Sequence, residues 1–350
     1  MGGKEVIFDR RGCAGWLILN RPQAMNAINL QMVREISAAL DQLERDVDVE
    51  RIVVTGAGER AFSAGGDIRW LYERGCAGDY AAQSAFFREE YTLNARIKRY
   101  PKPYVSLIDS IVMGGGVGVS LHGSHRVVTE KAAFAMPEVG IGFFPDVGAT
   151  YALPRLPHRF GVAMAATGLR AKGADMAALG LATAYVESRR LGALGEALQK
   201  PGDTSAIIGE FASPAPPSSL LAEAPTIEKA FAQAEAASIE AALEADGSDF
   251  ARSLAGMLAT KSPTSIAIAL RQMQVGASLS FEEAMRVEFR IVTRICRGHD
   301  FYEGVRATIV DKDNRPQWRP PTGVRPSAAD IEAYFAPLGG DELTLAGVAA

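Results

Sequence analysis

Two short apolar runs, Val6–Phe8 and Trp16–Leu19, flank the polar, glycine-bearing stretch Arg10–Gly15, a pattern that predicts a β-hairpin. Asn29 stands as an N-cap before a stripe of Leu30, Val33, Ile36, Leu40 and Leu43, whose spacing predicts an amphipathic helix. Ile52–Thr55 reads as a buried strand, ended by the breaker run Gly56–Arg60. A second helix is expected from Ala81 to Arg99, stopped by Pro101 and Pro103, with Tyr104–Ile108 as the next strand. The glycine cluster Gly114, Gly115, Gly116 and Gly118 follows, and a helix is expected to begin over Val117–Leu121. This alternation predicts an α/β domain over residues 1–200.

The pattern then changes. Residues 201–225 carry five of the 18 prolines, with serine and alanine between them, and read as a linker or exposed loop. Residues 226–320 are helical by pattern; Phe281, Ala284, Met285, Glu288, Phe289 and Val292 form one amphipathic face. Residues 321–350 are expected as a C-terminal tail, frayed from Gly339 onward.

Composition narrows the function classes. The net charge of −4 excludes a whole-protein basic footprint for nucleic acid. Cys13, Cys76 and Cys296 are odd in number and far apart, so neither a disulfide framework nor a C-x-x-C zinc pair is available. The four histidines include no H-E-x-x-H, and no metal site is expected. The first residues lack an apolar targeting core, and Val105–Leu121 is broken by Asp109 and four glycines, so no spanning helix is expected. The expectation is a soluble protein of a reducing compartment, the cytoplasm.

Four segments carry candidate chemistry. In Ala61–Ile68, the adjacent Gly65 and Gly66 let the backbone approach a ligand, although on this segment alone a plain β-turn is the favoured reading. Ser63 lacks the G-x-S-x-G context of a nucleophile. Met113–Gly118 lies between a strand and a helix, where free N–H groups suit a developing oxyanion; its spacing fits no phosphate loop. In Phe134–Gly148, Glu138 and Asp146 are carboxylates among apolar residues, a setting that raises a pKa and suits acid–base work. Asp146 could equally cap the next helix. Glu90 shares a helix face with Phe86, Leu93 and Ile97, so it needs a buried partner, for which an arginine is expected. Its neighbour Glu89 faces elsewhere, and His122 and His125 read as a polar helix end.

Together these segments resemble the enoyl-CoA hydratase/isomerase (crotonase) superfamily. The likeness runs from Asn20–Ala27 through Phe62–Ile68 and Met113–Gly118 to Asp146. Arg88–Tyr91, Pro137–Glu138, Gly142–Gly148, Asp300–Arg306, Asp311–Asp313 and Trp318 narrow it to that superfamily's branch of hydrolases acting on 3-hydroxyisobutyryl-CoA. The resemblance implies a crotonase (ClpP/crotonase-like) fold of stacked β-β-α turns with a helical C-terminal region. It also implies an acyl-CoA substrate held with its thioester oxygen between the N–H groups of Gly66 and Gly115. By the same resemblance Ala64, Asp67 and Ile68, with the helix start after Asn26, would line the CoA groove. Glu138 would be the base or nucleophile, Asp146 would orient the 3-hydroxyl or assist thiolate departure, and Glu90 would hold substrate or water.

Hydratases of the superfamily use two glutamates, and the first falls here on Gly118, which has no side chain. Hydrolysis is therefore expected, without metal or redox cofactor, coenzyme A being part of the substrate. The alternatives are an enoyl-CoA hydratase or isomerase, with Glu90 or Asp146 as the missing partner, and a non-catalytic CoA-binding module. The superfamily commonly forms trimers, so a homo-oligomer is a further expectation; no nucleic-acid or membrane partner is expected.

Overall fold

The computed structural model describes residues 4–345. The hairpin is present as β1 (Val6–Arg11) and β2 (Ala14–Leu19), antiparallel with Phe8 opposite Leu17. β3 (Arg51–Gly56), β5 (Tyr104–Ile108), β7 (His125–Val128) and β10 (Ala184–Tyr185) extend that sheet in the order β1-β2-β3-β5-β7-β10. Every pair beyond the hairpin is parallel. The strands that follow β3, β5 and β7 in the chain are β4 (Ala61–Ser63), β6 (Ile111–Met113) and β8 (Ala133–Ala135). They form a second sheet, closed at one edge by antiparallel β9 (Ala171–Lys172).

Each turn of the chain thus places one strand in each sheet, and helices complete the first two turns. Because β4, β6 and β8 are adjacent and parallel, their C-terminal ends stand side by side. The loops leaving those ends, residues 64–66, 114–115 and 136–138, become neighbours despite their separation in sequence.

The helices follow their local chemistry. α1 (Leu30–Arg45) begins at Asn29, whose side chain accepts from Met32 N at 2.9 Å, and it buries Val33, Ile36, Leu40 and Leu43. α2 (Ile68–Cys76) is absent from the sequence reading; Asp67 caps it by accepting from Trp70 N at 3.2 Å. α3 (Tyr80–Lys98) matches the second expected helix. α4 (Gly115–Gly118) begins two residues earlier than expected and lasts one turn. Gly114, at φ +43, turns the chain sharply out of β6. A Cβ on Gly116 would lie 2.6 Å from the Ser63 carbonyl oxygen, so the turn packs directly on the end of β4.

Trp16, Val53, Val105 and Val127 form one apolar face of the first sheet, covered by Leu194, Leu198 and Ile208. The last of these sits on the helix Thr204–Phe211, which corrects the expectation of a linker or loop over residues 201–225. Fully buried Arg51 fastens this cover, donating to Thr204 Oγ1 at 2.9 Å and to the carbonyls of Leu198 and Lys200 at 2.7 and 2.6 Å. Proline-rich composition misled because an apolar sheet face demands a lid, and a two-turn helix between prolines supplies it.

From Ala224 to Val310 the chain is mostly helical, including Pro263–Gly276 and Phe281–Ile295. Residues 311–320 are not, which shortens the expected helical region, and the helix Ala328–Phe335 lies within the expected tail. The tail does not fray at Gly339: Leu343 is buried, and Glu342 pairs with Arg290 at 3.0 Å. The end of that expected frayed segment, residues 346–350, lies outside the described residues. Among the described residues, no helix is long and apolar enough to cross a membrane.

Candidate active site

A cavity of about 520 Å³ opens beyond the ends of β4, β6 and β8, within the size range of small-molecule sites. Gly66, Gly115, Glu90, Glu138 and Asp146 border it, as do Ala64 and Ile68. The Gly66 loop is tied to the chain before α1 on either side: Ile28 N donates to Gly65 O, and Asp67 N donates to Ile28 O, both at 2.8 Å. The Gly66 N–H takes no part in this bonding. The Gly115 N–H is the first of α4, so no preceding turn accepts it. The two glycines adjoin: a Cβ on Gly115 would lie 3.2 Å from Gly66 N.

Three carboxylates face the same space. Glu138 opens the 3-10 turn Glu138–Ile141; its Oε1 would meet a Cβ on Gly114 at 3.1 Å, and its Oε2 has no partner. Glu90, on α3, brings Oε1 to 3.0 Å from the Cβ position of Gly115, and that oxygen is also unpartnered. Among the described residues no arginine meets Glu90, contrary to expectation; the charges that act on it are those of Asp146 and Glu288. Asp146 accepts from the Tyr91 hydroxyl at 2.9 Å. It caps nothing, because α5 (Ala149–Ala152) starts after Gly148 without a side-chain cap.

Burial disfavours the charged form of each acid. It pushes the Glu90 and Glu138 carboxyls well above the usual range, and the nearby Asp146 charge adds to this. Burial likewise raises Asp146 to about 7, although the Tyr91 hydroxyl pulls the other way. The consequence for stability has a definite sign. Between about pH 4, where an unfolded aspartate ionises, and about 7, the folded chain keeps the Asp146 proton while the unfolded chain has lost it. Stability from this group is therefore present at low pH and lost as pH rises through 7. The variant Asp146→Asn, which retains an acceptor for Tyr91, should gain thermal stability over the parent at pH 8.5, and the gain should shrink at pH 5. Thermal unfolding at the two pH values checks this, with roughly 1–2 °C for each kcal/mol recovered in a chain of 350 residues; a gain that grows toward low pH would refute it.

Other expectations fare unevenly. Asp67 does not border the cavity: its carboxylate caps α2 and pairs with Arg21 at 3.0 Å. The stretch after Asn26 stays away too, the Asn26 amide being used to hold the carbonyls of Ala57 and Ala61. Glu89 pairs with Arg34 at the surface. His122 is no polar helix end; it is buried, and its Nε2 meets the Val147 carbonyl at 2.6 Å. Arg306 gathers Glu303, Asp311 and Asp313 within 2.6–2.8 Å. This clasp forms the segment that brings Thr308, Ile309 and Asn314 to the cavity wall.

Sequence reasoning missed three side chains. Tyr91 was visible only as part of a motif. Lys261, half-buried at the cavity edge, has an ammonium held below its usual range by burial and no ion-pair partner among the described residues. Glu288 was counted in an apolar stripe, where a charged residue was itself a signal.

A β-β-α spiral whose cavity joins two free glycine N–H groups to buried carboxylates defines a crotonase-type enzyme. The chain belongs to the enoyl-CoA hydratase/isomerase family, whose sequence pattern matches residues 14–335. Within it, the chain is 44% identical to the mitochondrial 3-hydroxyisobutyryl-CoA hydrolase of Danio rerio, over 98% of this chain and 92% of that protein. The Homo sapiens protein of the same name is 41% identical, over 97% and 90%. Among solved structures, a carnitinyl-CoA dehydratase from Mycobacterium thermoresistibile matches with a TM-score of 0.94 at 41% identity, over 99% of this chain and all of that one. An enoyl-CoA hydratase from Rhodobacter sphaeroides matches at 0.89 and 39%, over 97% and 100%. The expected crotonase fold is the fold observed.

Proposed function

We propose that the chain hydrolyses 3-hydroxyisobutyryl-CoA to 3-hydroxyisobutyrate and CoA, a step of valine degradation. The observation that carries hydrolysis over hydration is the closure of position 118. A Cβ on Gly118 would lie 2.7 Å from Asn94 Nδ2 and 2.9 Å from Val147 Cβ, so the space of a second catalytic glutamate is filled. Loss of one acid–base partner costs about 10²–10⁴-fold in such proton transfers.

The chemistry follows from the groups at hand. The thioester oxygen accepts from the N–H groups of Gly66 and Gly115, which stabilise the charge that develops on it. Glu138 takes the proton of an attacking water or attacks the carbonyl carbon itself, forming an acyl anhydride that water then opens. Either way the C–S bond breaks and CoA leaves as a thiolate. Asp146 binds the 3-hydroxyl or supplies the proton that the thiolate takes up. Glu90 holds substrate or water against Gly115. Ala64 and Ile68 line the CoA arm, and the unpaired Lys261 ammonium faces its phosphates. Asp67 acts one step back, by capping α2 and steadying the Gly66 loop. The three free cysteines suit a reducing compartment, and we place the activity in the cytoplasm.

Thiol release from 3-hydroxyisobutyryl-CoA, 3-hydroxypropionyl-CoA and crotonyl-CoA, followed in parallel with a chromogenic thiol reagent, tests the reading. Release is expected from the two hydroxyacyl thioesters. Fading crotonyl-CoA absorbance without thiol release would make the chain a hydratase that uses Glu90 or Asp146 as its second acid–base group. Tight binding without any product would make it a CoA-binding module.

A further inference from the structure

Asp146 sits at the head of a turn closed by one backbone bond of its own, from Ala149 N to the Asp146 carbonyl at 3.0 Å. Val147 has φ +51, a left-handed conformation that a β-branched residue rarely adopts. Three buried side chains from three parts of the chain grip this turn. Glu288, on the helix Phe281–Ile295, accepts from Gly148 N through Oε2 and from Thr150 N through Oε1, both at 2.8 Å. Gln272, on the helix Pro263–Gly276, donates to the Pro145 carbonyl and to Thr150 Oγ1. His122 Nε2 donates to the Val147 carbonyl. Glu288 is wholly buried and has no cationic partner among the described residues.

A buried carboxylate without a countercharge is costly, and burial pushes Glu288 up to about 8; what favours its ionised form is the set of hydrogen bonds from Gly148 and Thr150. Its two oxygens here match two N–H donors, which glutamine cannot reproduce, since its NH₂ would face one of them. Helix Phe281–Ile295 packs on α3, where Phe289 meets Tyr91 edge-on, and Tyr91 is the residue that donates to Asp146. The helical C-terminal region therefore reaches the Asp146 carboxyl by two routes.

We propose that Glu288 is a positioning residue of the thioester site: by spanning the N–H groups of Gly148 and Thr150 it holds the strained Val147 turn and aims Asp146 at the bound acyl group. The proposal rests on the reading of Asp146 as a group that meets substrate. The experiment is a double-mutant cycle with Glu288→Gln and Asp146→Asn, read by thiol release from 3-hydroxyisobutyryl-CoA. Glu288→Gln alone should lower kcat/KM by about 10- to 100-fold, because a misplacement of about 1 Å costs up to ~100-fold. On the Asp146→Asn background it should cost less than about twofold, since a misaimed group that is already disabled has nothing more to lose.

Losses that multiply, or an unchanged Glu288→Gln enzyme, would overturn the proposal, because a merely structural role is indifferent to what occupies position 146. If Glu288→Gln does not fold, Glu288→Asp replaces it, keeping the charge while reaching a single N–H; a smaller loss with the same dependence on Asp146 is expected. A parent enzyme that releases no thiol overturns the hydrolase reading alone. The cycle is then read in the Kd for 3-hydroxyisobutyryl-CoA, where the same non-additivity supports the proposal and additivity refutes it.

Discussion

Glu138→Gln is expected to lower kcat for thiol release by about 10²–10⁴-fold, the usual range for a lost acid–base group, in a protein that still folds. The substitution keeps the side-chain volume, and the backbone that sets the position is untouched: Phe143 N donates to the Glu138 carbonyl at 3.0 Å whatever the side chain. What disappears is the ability to take a proton or to attack. Burial and the neighbouring Asp146 charge push the Glu138 carboxyl well above its usual range, which makes its ionised form a stronger base than a solvated glutamate. An amide has neither property at any pH. Turnover in ¹⁸O water with enzyme in excess then separates the two routes. Label found in Glu138 reports attack by its carboxylate, with water entering at the glutamyl carbon; label confined to the product acid, with no anhydride trapped by hydroxylamine, reports activation of water. Full turnover by Glu138→Gln would remove Glu138 from the chemistry.

The second large effect concerns a residue without a side chain. Gly115→Ala should reduce kcat/KM by about 10²–10³-fold, the scale of one lost oxyanion donor. Gly115 is not among the glycines with positive φ, so alanine meets no backbone penalty there. Its methyl group, however, would stand 3.2 Å from Gly66 N and 3.0 Å from Glu90 Oε1. That is the space between the two N–H groups, where a thioester oxygen has to sit. The expected signature is a folded protein, with thermal unfolding near that of the parent, whose thioester turnover is crippled. Undiminished turnover would move the oxyanion site elsewhere.

Much of this architecture was legible in the sequence because it is local. The Asn29 cap and the stripe from Leu30 to Leu43 specify α1 through contacts within a few residues. The hairpin follows from two apolar runs around a turn. Glu138 and Asp146 stood out because carboxylates among phenylalanines are seldom idle. The failures were those of non-local context. Residues 204–211 read as a loop because composition does not reveal that Val53, Val105 and Val127 need a cover. Periodicity placed Glu90 on a buried face correctly and then supplied it with the wrong partner. The charges that face it, those of Asp146 and Glu288, come from segments far along the chain. α2 went unseen because the Ala64–Ile68 stretch was read only for its glycines.

The sequence by itself determined the residue types, the helix caps and the glycines that bring the backbone close, and through the glycine at position 118 it already argued against hydration. It also carried the family, as motifs in a fixed order. Only the tertiary structure decided that these pieces meet. Adjacent parallel strands β4, β6 and β8 bring Gly66, Gly115 and Glu138 to one cavity wall, while packing of Phe281–Ile295 on α3 sets Glu288 beneath the Asp146 turn. The physical reason is one of range: caps and turns are settled by hydrogen bonds within a few residues, whereas a shared cavity depends on which buried faces pack together, and that is a property of the whole chain.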